Sequence, residues 1–346
     1  PAMDPTYPLI PVLNILTAAL VLYTLLSISL RGTWNSGVVM LGSWVFIRTS
    51  IRGTEAIVWS NNFENKAPVW CDISTHVVIA ASFAGIPACS LIISRRLHHV
   101  ICSYALNSAS DIRRKSFLFD IALGIGLPLC LMALFPVVQD VRFQVVEDMG
   151  CSISMAAAIF TLLAFQSWGV ILPLISIILY FPTIIRELYV HHKQMNSVLS
   201  SMGVLDRTRY MRLVAIACMD MLMTLPIGTI TLAEALHQDS QLPFWPPWPT
   251  ILANNPPRLI PEMAWRSMFW SRFTTYFSQT SVVALGLVFF LLFGATRDAL
   301  SAYYCAFSRI KESLRSSQQT VHVVRVELSL VSSQGHTATD PECVRS

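Results

Sequence analysis

LIPVLNILTAALVLYTLLSISL, residues 9–30, decides the fold class. A hydrocarbon core about 30 Å thick needs roughly 20 helical residues to cross it. This run supplies that length without one Asp, Glu, Lys or Arg. It exceeds the roughly 7–15 apolar residues of a signal-peptide core, and no basic segment precedes it. It is therefore expected to stay in the chain as a spanning helix.

The rest of the chain has the same character. Of 346 residues, 54% are apolar and only 13% charged, against about 25% charged in a soluble domain. Six further runs of spanning length follow, near residues 37–60, 70–94, 116–138, 153–183, 212–236 and 268–294. The expected fold is an all-α membrane protein, a bundle of seven transmembrane helices. Pro173, Pro182 and Pro226 lie inside these runs, which membrane helices tolerate because neighbouring helices satisfy the freed backbone groups. The second run, with Arg48, Arg52 and Glu55, and the seventh, which opens near Arg272, fit the pattern least well.

Lys and Arg set the orientation. With the N-terminus outside, 17 of the 24 fall on the cytoplasmic side, among them Arg95, Arg96, Arg113, Arg114, Lys115, Arg207, Arg209 and Arg212. Only Lys66, Arg142, Arg258 and Arg266 fall outside. The expected organisation is a short extracellular segment 1–8, a bundle 9–294, a cytoplasmic amphipathic helix 295–315 and a disordered tail 316–346. In the surface helix, Leu300, Tyr303, Tyr304, Phe307, Ile310 and Leu314 recur at helical spacing among basic residues, as on a helix lying against membrane lipid. The stretch PFWPPWPTILANNPP, 243–257, cannot be regular helix. Its tryptophans suit either an outer interfacial anchor or a lid.

Ionisable groups at membrane depth are costly and mark candidate function. Arg48, Arg52, Glu55 and Trp59 recur at i, i+4, i+7 and i+11, on one helical face. That face should point into the bundle, either as an internal ion-pair staple or as part of a binding or switching site. Arg272 is expected to reach Glu55 from the seventh helix. Glu234, Trp270 and Tyr276 near the outer ends of the last two helices, and Asp220 deeper in the sixth, extend the set. His76 is the one histidine within a span, where a packing role is the commoner fate. A membrane hydrolase needs several His and Asp ligands for a catalytic zinc, and a retinal protein needs a lysine in the last helix. Residues 268–294 have no lysine. No enzyme activity, metal or cofactor is expected. A net charge of +4 gives no case for a nucleic-acid partner. A transporter or channel would also bury charge, but commonly shows internal repeats.

Cys71 opens the third run and Cys151 precedes the fifth, both on the oxidising side. A bridge between them would tie the second outer loop to the third helix; two free thiols are the alternative.

Trp59-Ser60-Asn61-Asn62, Trp70-Cys71-Asp72-Ile73, Gly150-Cys151, Pro226 and the run FFLLFGATRDAL, 289–300, together resemble the fungal mating-pheromone receptors of the a-factor type, class D G-protein-coupled receptors. The resemblance covers roughly residues 7–310. It implies a plasma-membrane, multi-pass receptor for a secreted, farnesylated peptide pheromone, acting on a heterotrimeric G protein. It makes Pro226 a hinge and places the basic residues named above on the G-protein-facing side. The paired arginines of the second helix stand outside that family's pattern.

Overall fold

In the computed structural model, residues 7–32, 35–102, 110–190, 204–238, 243–245, 256–267, 269–296 and 299 are described. The chain divides into two units, residues 1–296 and 297–346. The surface helix expected beyond Thr296, the expected tail and most of 243–257 lie outside the described residues.

The first unit is mainly helical. Helix α1 is Leu9–Arg31 and α2 is Ser36–Val58. Helix α3 runs through Pro68–Ile79, the π turn Ala80–Gly85 and Ile86–Cys102. Helix α4 joins Ser110–Ile121, the π turn Ala122–Gly126 and Leu127–Val138. Helix α5 starts at Ile159–Thr161 and ends in Phe181–Val190, with π turns at Leu162–Gln166 and Ser176–Tyr180. Helix α6 is Val204–Gln238, and α7 is Phe269–Phe289 followed by the π turn Phe290–Gly294.

Among the described residues, six helices are long and apolar enough to cross a membrane: α1, α3, α4, α5, α6 and α7. The exception is α2, whose length is sufficient but whose C-terminal half carries Arg48, Arg52 and Glu55. The fifth run begins later than its composition suggests, because residues 153–158 are extended and the helix starts at Ile159.

Three of the five described π turns, Ala80–Gly85, Ala122–Gly126 and Ser176–Tyr180, have a local cause. Proline lacks an N–H, and its ring collides with the carbonyl four residues earlier. For Pro87, Pro128 and Pro182 those carbonyls belong to Phe83, Gly124 and Ile178, each inside a π turn. The wider turn makes room for the ring and leaves a carbonyl to be satisfied elsewhere. At Gly124 the Trp44 indole of α2 supplies the donor, at 3.0 Å.

On α1 the leucines face outward and small or polar side chains turn inward, as small residues at helix–helix contacts allow close packing in a membrane. Leu9, Leu26 and Leu30 are exposed, whereas Asn14, Thr17, Val21, Thr24 and Ile28 are buried. These inward positions fall at helical spacing. The main core gathers Val21 of α1, Leu41 and Val45 of α2, Ile86 and Cys89 of α3, Ile216 and Met221 of α6, and Leu285 and Phe289 of α7. A second cluster joins Ile79 and Ala84 of α3, Phe135 of α4 and Phe165 of α5.

One element corrects the all-α expectation. Strands β1 (Gln144–Val146), β2 (Gly150–Ser152) and β3 (Arg258–Ile260) form a small sheet in the order β2-β1-β3. β1 pairs antiparallel with β2 in a tight hairpin and parallel with β3 from the loop between α6 and α7. Three-residue strands leave almost no alternation for a sequence reading to detect.

Candidate functional site

The hairpin seats on the end of α2 at which the charged face lies. Cys71 and Cys151 are disulfide-bonded, with Cα atoms 5.2 Å apart, so β2 is tied to the start of α3. Around the bond pack Trp59, Phe143 and Val145, all buried. The Asp148 N–H donates to the Trp59 carbonyl at 3.1 Å, and Asp148 Oδ1 accepts the Asn61 N–H at 2.9 Å. The Trp59 indole donates to the Glu64 carbonyl at 2.9 Å. Beside this, Arg142 pairs with Asp72, and the hydrogen bond and charge of Asp72 raise the Arg142 guanidinium pKa above its ordinary value.

The face of α2 points inward, as its spacing predicts. Glu55 and Trp59 are 0% exposed and Arg48 is 5% exposed. Arg52 Nη1 donates to Glu55 Oε2 and to the Cys151 carbonyl, each at 3.1 Å. One guanidinium nitrogen therefore joins the ion pair to the β1–β2 hairpin. Four residues deeper, Arg48 donates from Nη1 to Ser82 Oγ at 2.6 Å and from Nη2 to Ser278 Oγ at 3.0 Å. Ser82 lies on the π turn of α3 and Ser278 on α7. Arg48 thus bridges three helices through hydroxyls. Two arginines and one glutamate leave this buried group one positive charge in excess when all are ionised.

Arg272 does not join it. It is exposed on α7, where it lines an open cavity of about 360 Å³ with Phe269, Phe273, Tyr276, Phe277 and Thr280. The expected Arg272–Glu55 contact is therefore corrected: the side chain leaves the other flank of its helix. Phe269, Phe273 and Phe277 stack along that flank with centroids 6.3 and 5.5 Å apart, and exposed Trp270 packs edge-on to the first two. Tyr276 also packs on Trp265, 5.8 Å away, and meets Arg266 through its hydroxyl at 3.3 Å. The Gln279 amide points at the Met149 sulfur, 2.8 Å away, so α7 is linked to the hairpin too.

His76 takes a packing role. Its Nδ1 lies 2.6 Å from the Asp72 carbonyl oxygen, and its ring meets Phe135 edge-on at 4.9 Å. Pro226 stands inside α6. Glu234 belongs to the same helix, but its side chain lies outside the described residues, as do those of Arg113, Arg207 and Arg209. Arg114 and Lys115 are exposed and Arg212 is half-buried.

Arg95 and Arg96 are engaged. Asp120 of α4 is 0% exposed and receives Arg95 Nη1 at 3.1 Å, Arg96 Nη2 at 2.6 Å and the Ser36 hydroxyl at 3.2 Å. Sequence reasoning missed Ser82, Ser278, Asp120 and Gly150. Asp120 carried a usable signal, an acid inside the run 116–138. The serines carried none that distinguishes them from neighbours, and Gly150 stood out only as part of Gly150-Cys151, with no role assigned to it. Among the described residues no group of His, Cys, Asp or Glu is arranged to hold a metal ion.

Comparison with known proteins gives this arrangement a context. The Pheromone A receptor family, STE3, matches residues 9–311. The chain is 28% identical over 281 residues to the Pheromone B alpha 1 receptor of Schizophyllum commune, covering 81% of this chain and 44% of that one. It is 24% identical over 326 residues to Pheromone receptor 1 of Mycosarcoma maydis, covering 88% and 87%. The Pheromone M-factor receptor of Schizosaccharomyces pombe is 26% identical over 217 residues, covering 61% and 57%. The chain spans about half the length of the Schizophyllum relatives it matches. With the match extending through the helical unit, the chain belongs to the STE3 pheromone A receptor family.

Proposed function

We propose that this chain is a G-protein-coupled receptor for a secreted, farnesylated peptide pheromone. It acts at the plasma membrane as seven spanning helices, with α2 as the remaining span, the N-terminus outside and an amphipathic helix after α7 on the cytoplasmic side. It is not an enzyme. The excess of Lys and Arg on one side supports the orientation.

The match of the Pheromone A receptor family over residues 9–311 carries this reading, and the Arg48–Arg52–Glu55 group suggests how the receptor would switch. The group joins α2, α3 and α7 in the bundle and, through the Cys151 carbonyl, the outer hairpin. A ligand that displaces the hairpin or competes for these groups changes contacts among three helices at once. A ligand shifts a conformational equilibrium only by its differential affinity for the two states, and a group shared by loop and helices supplies such a difference. Pro226 is the hinge about which the inner part of α6 repositions. The basic residues at the cytoplasmic end face the G protein.

Reporter output tests the reading in cells that express this chain with a coupled G protein, challenged with a panel of lipidated secreted peptides. A saturable response to one member supports it; a chain at the surface that answers none, while a relative in the same cells answers its own, contradicts it.

A further inference from the structure

The three-stranded sheet has two edges, and they are finished differently. On β2 the Cys151 carbonyl accepts Arg52 Nη1 at 3.1 Å, so the bundle takes up that edge. The β3 edge is open. The Arg258 N–H donates to the Phe143 carbonyl and the Ile260 carbonyl accepts the Glu147 N–H, each at 3.1 Å, so these two residues turn their backbone groups toward β1. Successive residues of a strand point those groups to opposite sides, and the N–H and C=O of Leu259 therefore face away from the sheet. Neither has a hydrogen-bond partner among the described residues, and Leu259 is 44% exposed.

Proline brackets this point. Positions 257 and 261 are the next whose N–H would face the same way, and both are Pro. The Pro261 carbonyl already accepts the Ala264 N–H at 3.0 Å. With the flanking donors missing, the edge cannot seed a long ladder with a second copy of the chain. What remains is one donor and one acceptor on one residue, a set that a single residue of an extended peptide satisfies in full. The surroundings suit a peptide that carries an apolar group. Ile260 and Tyr276 pack against the same buried cluster around Trp265, and Tyr276 also lines the aromatic cavity of α7.

We infer that Leu259 is a backbone clamp for the peptide ligand. Its N–H donates to a ligand carbonyl, its carbonyl accepts a ligand N–H, and that one ligand residue adds to the sheet beside β3. The clamp rests on the receptor reading, since it says how the secreted peptide of that reading is held. It fixes the ligand's register, because the prolines allow pairing at one position only. The ligand and Arg52 then hold the two edges of one sheet, which gives the peptide a backbone route to the Arg52–Glu55 pair.

Two measurements test the clamp. Between Pro256 and Pro261 only Arg258, Leu259 and Ile260 carry an N–H. In the purified full-length chain without ligand, hydrogen exchange should find Leu259 fast and the other two slower; three amides of one rate would overturn the proposal. Adding the member of the lipidated-peptide panel that elicits a reporter response should slow Leu259 as well, and an amide still fast at saturating peptide would overturn it. In reporter cells, Leu259→Pro removes the outward N–H and no bond of the sheet, whereas Leu259→Ala keeps that N–H. At matched surface level Leu259→Pro should lower potency about three- to tenfold, the worth of one hydrogen bond, and Leu259→Ala should lower it less. Wild-type potency in Leu259→Pro, or equal losses in both variants, would overturn the clamp alone. If Leu259→Pro does not reach the surface, the exchange measurement decides. A wild-type chain that answers no peptide, while a relative in the same cells answers its own, contradicts the receptor reading, and the clamp falls with it.

Discussion

Gly150 lies against Glu55 so closely that a Cβ on the glycine would stand 2.6 Å from the glutamate Cβ. Its φ of +80° belongs to the left-handed region, which other residues enter at a cost. The β1–β2 hairpin is thus fitted to the charged end of α2 through a position without a side chain. Gly150→Ala meets both the collision and the strain, and should destabilise the fold by about 1–3 kcal/mol or push the hairpin away from Glu55. Gly32, at φ +64° with nothing within 4 Å of its Cβ position, is the control. Gly32→Ala should cost less in thermal stability and surface level. Equal losses at the two positions would mean that the contact with Glu55 does not matter.

The disulfide predicts a pattern. Cys71→Ser and Cys151→Ser each remove the same bond, so their effects on surface level should match and the double variant should add little. Loss of a native disulfide costs about 2–5 kcal/mol in small domains. Independent, additive losses would show that the two cysteines act separately.

Glu55→Gln leaves Arg52 without its acid in a buried setting. Removing one side of such a pair costs about 3–5 kcal/mol, so basal signalling or surface level should change clearly. Arg52→Gln with Glu55→Gln should be less than additive. Arg272→Gln should leave both measures at wild type, because that side chain is exposed on the far flank of α7. A change with Arg272→Gln equal to that with Glu55→Gln would restore the contact that the structure rejects.

Arg48 makes a narrower prediction. A lysine keeps the charge but cannot reach two serines on separate helices with a planar fork. Arg48→Lys should lose one of two hydrogen bonds from a charged group, about 1.5–3 kcal/mol, seen as a lower unfolding midpoint at normal disulfide content. Ser278→Ala should reproduce part of that loss. An unchanged midpoint in both variants would show that the α2–α7 bridge carries no weight.

Much of the fold was legible because lipid imposes a simple rule on composition. Apolar runs of spanning length coincide with α1 and α3 to α7, and the i, i+4, i+7, i+11 spacing of Arg48, Arg52, Glu55 and Trp59 placed one face inward, where burial puts it. Sidedness alone brought Cys71 and Cys151 together. The three-residue strands were not legible, because β1 meets β3 across more than a hundred residues and no local pattern encodes that pairing. Arg272 misled for a related reason. Spacing says which residues share a face of a helix but not which way the face turns, and α7 turns Arg272 outward while Ser278 reaches Arg48. The partners of the charged face are hydroxyls, and serines are too common in such helices to stand out.

The central claim is that the chain answers a lipidated peptide, and one comparison tests it most directly. Once an active peptide is in hand, reporter output from cells expressing the chain is measured against that peptide with and without its farnesyl group, at matched surface level. The account predicts a severe loss of potency without the lipid, since each buried CH₂ is worth about 0.8 kcal/mol, and no response in cells lacking the chain. Equal potency of the bare and farnesylated peptides would contradict it.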